Sequence, residues 1–119
     1  MKQEDKGLLL KDLCARLPYG VKCEVAPNDT RTLVGITFET NGEVWLNFGL
    51  FNSLYEVYQP IPYLRPMSSM TDEENYEFRL LPLRHYESYD WLNSHHFDWR
   101  DLITKGLALE APSDMYIFE

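Results

Sequence analysis

The chain has 119 residues, 45% of them hydrophobic and 25% charged, with a net charge of −8. That length suits one compact domain spanning 1–119, and the composition excludes a disordered tail; no apolar run approaches the roughly 20 residues of a membrane helix. The acid excess argues against direct nucleic-acid binding, because a surface of that sign repels phosphate backbones.

In chain order, the opening MKQEDKGLLLKDL sets acids before a leucine run too short for a secretory signal. Leu10, Leu13, Cys14 and Leu17 then recur at helical spacing, and Pro18-Tyr19-Gly20 stops the pattern. A helix over about Gly7 to Leu17 follows, with Cys14 on its apolar face. Val21, Cys23 and Val25 next alternate as in a strand that ends at the turn-like Pro27-Asn28-Asp29. Neither cysteine has a partner at CxxC or metal-ligand spacing, which points to reduced thiols in a cytoplasmic protein.

Val34, Ile36 and Phe38 alternate before Asn41-Gly42, and Val44, Leu46 and Phe48 alternate after it, the pattern of a hairpin. A two-residue turn would oppose Val44 to Glu39. A three-residue loop, Thr40-Asn41-Gly42 with Gly42 left-handed at a bulge, instead opposes Phe38 to Val44, Ile36 to Leu46 and Val34 to Phe48. That register is the expected one, and it turns Trp45 away from the apolar face, opposite Thr37. The segment from Leu54 to Met67 is extended but contains Pro60, Pro62 and Pro66, so it supplies at most an edge strand.

Thr71 followed by Glu74 has the spacing of a capping box and predicts a helix to about Leu81. A short helix is expected from Ser88, and Asp98 opens another that Lys105-Gly106 ends. His95 and His96 fall at the corner between these two helices. Phe97 and Leu102 there have the spacing of a hydrophobic staple. Adjacent histidines diverge by about 100° on a helix and make a poor bidentate pair, so neither a metal site nor a cofactor is expected. No glycine-rich phosphate loop, GxSxG elbow or paired nucleophile and base accompanies them.

The fold expected is α+β: an N-terminal helix, a small twisted antiparallel sheet within about 18–67, with an SH3-like barrel as one way to curl it, and a helical part over about 71–106. The acids are unevenly divided, eleven against five Lys/Arg in 61–119 but eight against six in 1–60.

The stretches LCARLPYGVKCEV, YLRPMSSMTDEE and DWLNSHHFDWRDLITKGLALEAPSDMY resemble a family of small uncharacterised proteins of gut Bacteroidetes and their phages or integrated elements. The resemblance covers most of the chain and implies a bacterial or viral cytoplasmic setting, with an accessory or host-interaction role. It implies no activity and no site residues.

The first functional expectation is a non-catalytic protein-binding or adaptor protein, with Trp45, Tyr55, Tyr58 and Tyr63 as candidate contacts. The second is an acidic mimic that occupies a basic nucleic-acid site, for which Asp72, Glu73, Glu74, Glu77, Asp90, Asp98 and Asp101 would have to form one face. The third is a small enzyme using His85, His95 or His96, which needs a pocket of convergent polar groups.

Overall fold

The computed structural model describes residues 1–81 and 85–116, with the side chain of His85 outside that description. It is an α+β protein, and its described residues form two small sheets, an N-terminal α-helix and two further α-helices. Among the described residues no helix is long and apolar enough to cross a membrane.

Helix α1 spans Gln3–Arg16, opening a turn earlier than its leucine pattern because Glu4 and Asp5 favour the positive end of the helix dipole. Its buried face is Leu9, Asp12, Leu13 and Arg16. This corrects the expected face: Cys14 is exposed, and the helix is rotated by about one residue from the leucine stripe. A hydropathy pattern assigns Asp12 and Arg16 to solvent. They are buried because each finds a partner: Arg16 Nε donates to Asp12 Oδ2 at 2.8 Å and Arg16 Nη2 donates to the Phe97 carbonyl at 2.6 Å.

After a 3₁₀ turn at Leu17–Tyr19, strand β1 (Lys22–Ala26) pairs antiparallel with β2 (Asp29–Thr32), a strand the alternation pattern missed because DTRT carries no apolar residue. The chain changes sheets between the next two residues. Leu33 N–H bonds the Val21 carbonyl at 3.0 Å, whereas Val34 N–H bonds the Asn47 carbonyl at 2.9 Å in the second sheet.

That second sheet holds β3 (Gly35–Phe38), β4 (Val44–Asn47) and β5 (Asn52–Leu54) in the order β3-β4-β5. Phe38 opposes Val44 and Ile36 opposes Leu46, the bulged-turn register, with Gly42 at φ +90°. No atom lies within 4 Å of where a Gly42 Cβ would stand, so Gly42→Ala strains the backbone alone. It is expected to lower stability by about 1 kcal/mol, read as a shift of the urea midpoint at unchanged slope.

Strand β6 (Ile61–Leu64) lies inside the first sheet, whose order is β2-β1-β6-β7, with β7 formed by Leu109–Glu110. This corrects the edge position expected from its proline. Two partial ladders explain how Pro62 is tolerated: β1 pairs with Ile61 and Pro62, and β7 pairs in parallel with Tyr63 and Leu64. The two sheets remain separate, so no SH3-like barrel closes among the described residues.

Helix α2 (Asp72–Arg79) carries both halves of the expected capping box: Glu74 N–H donates to Thr71 Oγ1 at 3.1 Å and Thr71 N–H donates to Glu74 Oε1 at 3.0 Å. Helix α3 spans His85–Ser94. The helix expected from Asp98 to Lys105 is replaced by turns, because Asp101 adopts φ +62° and breaks the first helical turn. Asp98 still caps, but further on, accepting the Leu102 and Ile103 N–H groups at 2.8 and 2.9 Å. Phe97 and Leu102 do not form one staple. Phe97 packs with Trp91 and Leu92, while Leu102 belongs to the main core with Leu9, Leu13, Val21, Leu46 and Leu64.

Candidate functional site

The histidine corner is a helix end. Phe97 N–H bonds the Leu92 carbonyl at 2.9 Å and His96 N–H bonds the Asn93 carbonyl at 3.0 Å, the two bonds of a Schellman motif. His96 holds the left-handed position at φ +63°, where glycine is usual. The contact that completes the motif, between the residues flanking this turn, is made by buried Leu92 and Phe97.

His96 is 4% exposed, and its ring stacks on Tyr116 at 3.6 Å and 9°. The Tyr116 hydroxyl accepts from Lys22 N–H at 2.9 Å and donates to the Tyr63 carbonyl at 2.7 Å. It therefore bridges β1 and β6 at the point where their ladder stops. Burial, reinforced by the positive charges of Arg16, Arg65, His95 and Lys22, holds the His96 imidazole down to about 3.

His95 has a different environment. Its ring stacks on Trp91 at 4.0 Å, and Nδ1 lies 2.9 Å from the Trp91 carbonyl, an acceptor that requires Nδ1 to carry the proton. The His85 side chain lies outside the described residues. Among the described residues no three His, Cys, Asp or Glu side chains converge as metal ligands.

A polar groove of about 570 Å³ does exist beside His95, lined also by Arg65, Thr71, Glu74, Glu77 and Tyr116. Three of its charged groups, Arg65, Glu74 and Glu77, are engaged in holding elements together, whereas Glu73 on its rim is solvent-exposed. Arg65 grips Glu74 with two bonds, at 2.8 and 2.7 Å, and its guanidinium lies 4.2 Å from the Phe97 ring centre. Those bonds from Arg65 hold the Glu74 carboxyl down to about 2. Glu77 accepts from Trp91 Nε1 at 3.0 Å. The groove is a joint between β6, α2 and α3, and these groups are spent on it.

The acidic candidates do not share one role. Asp72 and Glu73 are solvent-exposed on the first turn of α2, Glu74 and Glu77 belong to the joint, and Asp90 is exposed on α3. Asp98 is buried and committed to capping, whereas Asp101 is exposed in the turn beyond it. A continuous carboxylate face loses Asp98 at the outset.

The aromatic candidates are likewise divided. Tyr55 is in the core and its hydroxyl donates to the Lys6 carbonyl at 2.6 Å. Tyr63 belongs to the first sheet, with its hydroxyl 3.2 Å from Glu24 Oε2. Tyr58 is exposed in the turn after β5, and Trp45 is half-buried on the outer face of the second sheet, opposite Thr37 and Leu54. Around Trp45 a depression of about 340 Å³ is lined by Thr37, Glu39, Asn47 and Asn52.

The second sheet also carries exposed apolar residues that sequence reasoning either placed in the core or passed over. Val34 is 57% exposed, Phe38 63%, Leu50 85% and Val57 78%. The register of β3 was legible, but its place at a sheet edge was not, and edge position is what uncovers Val34 and Phe38. One signal was available: Leu50-Phe51 lies between Gly49 and Asn52, where a turn ordinarily carries polar residues. No family model, curated protein or solved structure matches the chain.

Proposed function

We propose that this chain is a non-catalytic protein-binding or adaptor protein that meets its partner through the second sheet, along β3 and the turns around it. The observation that carries this reading is the exposure of Val34, Phe38, Leu50 and Val57 on and around one three-stranded sheet. Single exposed apolar residues are ordinary on a protein surface; Val34 and Phe38 on the β3 edge, with Leu50 and Val57 in turns of the same small sheet, mark an interaction surface. The engagement of Arg65, Glu74 and Glu77 in the joint supports binding over catalysis, since groups already satisfied have little capacity left for a substrate. From the resemblance described above, the proposed setting is the cytoplasm of a bacterial host or its phage, with an accessory role there.

The test is a pull-down from Bacteroidetes lysate with tagged wild type, Phe38→Ser and Tyr76→Ser, at low and high salt. Tyr76 is a control on α2 with comparable exposure. A partner kept by Tyr76→Ser, kept in salt and lost on Phe38→Ser is the expected result. A partner indifferent to Phe38→Ser and released by salt overturns the reading and points to the acidic residues instead.

A further inference from the structure

Among the described residues β3 is the terminal strand of its sheet, and its backbone defines what can be added to it. Glu39 N–H bonds the Glu43 carbonyl at 2.8 Å, which makes Glu39 and Glu43 a hydrogen-bonded pair. The alternation of an antiparallel ladder then directs Thr37 toward β4 and turns the N–H and C=O of Ile36 and Phe38 outward. These are the groups an incoming strand would pair with.

We infer that the open edge of β3 receives an extended peptide whose arginine or lysine side chain crosses Thr37 and stacks on the Trp45 indole. The inference rests on the sheet-binding reading above and names the chemistry of the partner. Alternate side chains of an added strand fall on the two faces of the sheet. One set meets Phe38 on the partly uncovered apolar face. The other lies beside Gly35, Thr37 and Glu39, two of which are small, so the way from the edge to Trp45 is not blocked by a bulky β3 side chain.

A side chain following that path must span the width of β3 before it touches the indole. Lysine and arginine have the long stems and terminal charge this requires, and arginine adds a planar group that stacks on an aromatic face.

Charge selects the same chemistry. Residues 33–59, which include the whole second sheet, contain no lysine or arginine but do contain Glu39, Glu43 and Glu56. Glu39 lines the depression around Trp45. A cation there gains the face of the indole and a neighbouring carboxylate, whereas an anion is repelled by Glu39. A second copy of this chain does not satisfy the site through its own β3, because Gly35–Phe38 reads GITF and offers no cation.

The experiment is selection of random seven-residue displayed peptides on the immobilised protein, followed by amide NMR titration of the best synthetic peptide. The expected peptides carry Arg or Lys flanked by β-branched or aromatic residues. They shift the Gly35–Phe38 amides and the Trp45 indole N–H, and bind at least tenfold more weakly when their Arg is replaced by neutral citrulline. Trp45→Ala is expected to lower affinity by a similar factor. Thr37→Lys, at an exposed position opposite Trp45, supplies a competing cation in cis and gives the same loss even if Trp45→Ala fails to fold. Peptides without a basic preference that still shift β3 overturn this inference and leave the sheet-binding reading standing. Peptides that shift only α2 and α3, or a selection that yields none, overturn both.

Discussion

The thermal midpoint is expected to fall as pH drops from 6.5 toward 3, with His96 responsible for the upper part of the decline. An unfolded histidine takes up its proton near pH 6.5, but the folded His96 resists until about pH 3. Between those values the unfolded state binds more protons, so stability falls as pH falls and is unaffected by this group above the window. The full shift is worth roughly 3 to 5 kcal/mol. Glu74 adds a second loss below about 4.5: its carboxyl is held down to about 2, so the stabilisation present at higher pH disappears as it protonates. The interval from 6.5 to 4.5 therefore isolates His96 from Glu74.

His96→Asn is the informative variant, because asparagine tolerates the left-handed backbone better than most residues and has no proton to take up. It should be less stable than wild type at neutral pH through loss of the Tyr116 stack, but its midpoint should change less between pH 6.5 and 4.5. Thermal melts followed by circular dichroism across that interval provide the measurement. An unchanged slope in His96→Asn would show that His96 is not the group being titrated.

The second large effect is expected at the charged pair inside the main core. Asp12 and Arg16 have fully buried side chains, and Asp12 also accepts from Arg100 Nε at 3.1 Å. Asp12→Ala leaves the Arg16 guanidinium buried with only the Phe97 carbonyl as an assigned acceptor, and should cost about 3 to 5 kcal/mol. Replacing both residues, as Asp12→Leu with Arg16→Met, should recover most of that loss. Arg16 Nη1 has no hydrogen-bond partner among the described residues, so the double replacement also removes an unsatisfied buried donor. Urea unfolding of the two variants decides the point. A cost below about 1 kcal/mol for Asp12→Ala would mean that the interior is solvated or rearranges to release the charge.

Local chemistry carried much of the architecture. The Thr71–Glu74 capping box involves residues three apart, and the β3–β4 register follows from side-chain alternation and one glycine that can hold φ +90°. Such signals need no knowledge of the rest of the chain. The placement of His95 and His96 at a corner was legible for the same reason, although the next helix was not: Asp98 caps amides four and five residues on, and Asp101 takes a left-handed conformation that ends helical continuation.

What tertiary structure decided depends on partners far apart in sequence. The rotation of α1 follows from Arg16 reaching Phe97, 81 residues away, and the closure of β1 against β6 follows from Tyr116 reaching Lys22, 94 residues away. No periodicity encodes either contact. The candidate surface shows the same division: alternation identified the apolar face of β3 and the opposite direction of Trp45, but whether a strand has one neighbour or two is settled only when the sheet assembles. Because β3 has one among the described residues, Phe38 stands in solvent and its outward backbone groups lie open, a consequence of topology and not of the residues' own preferences.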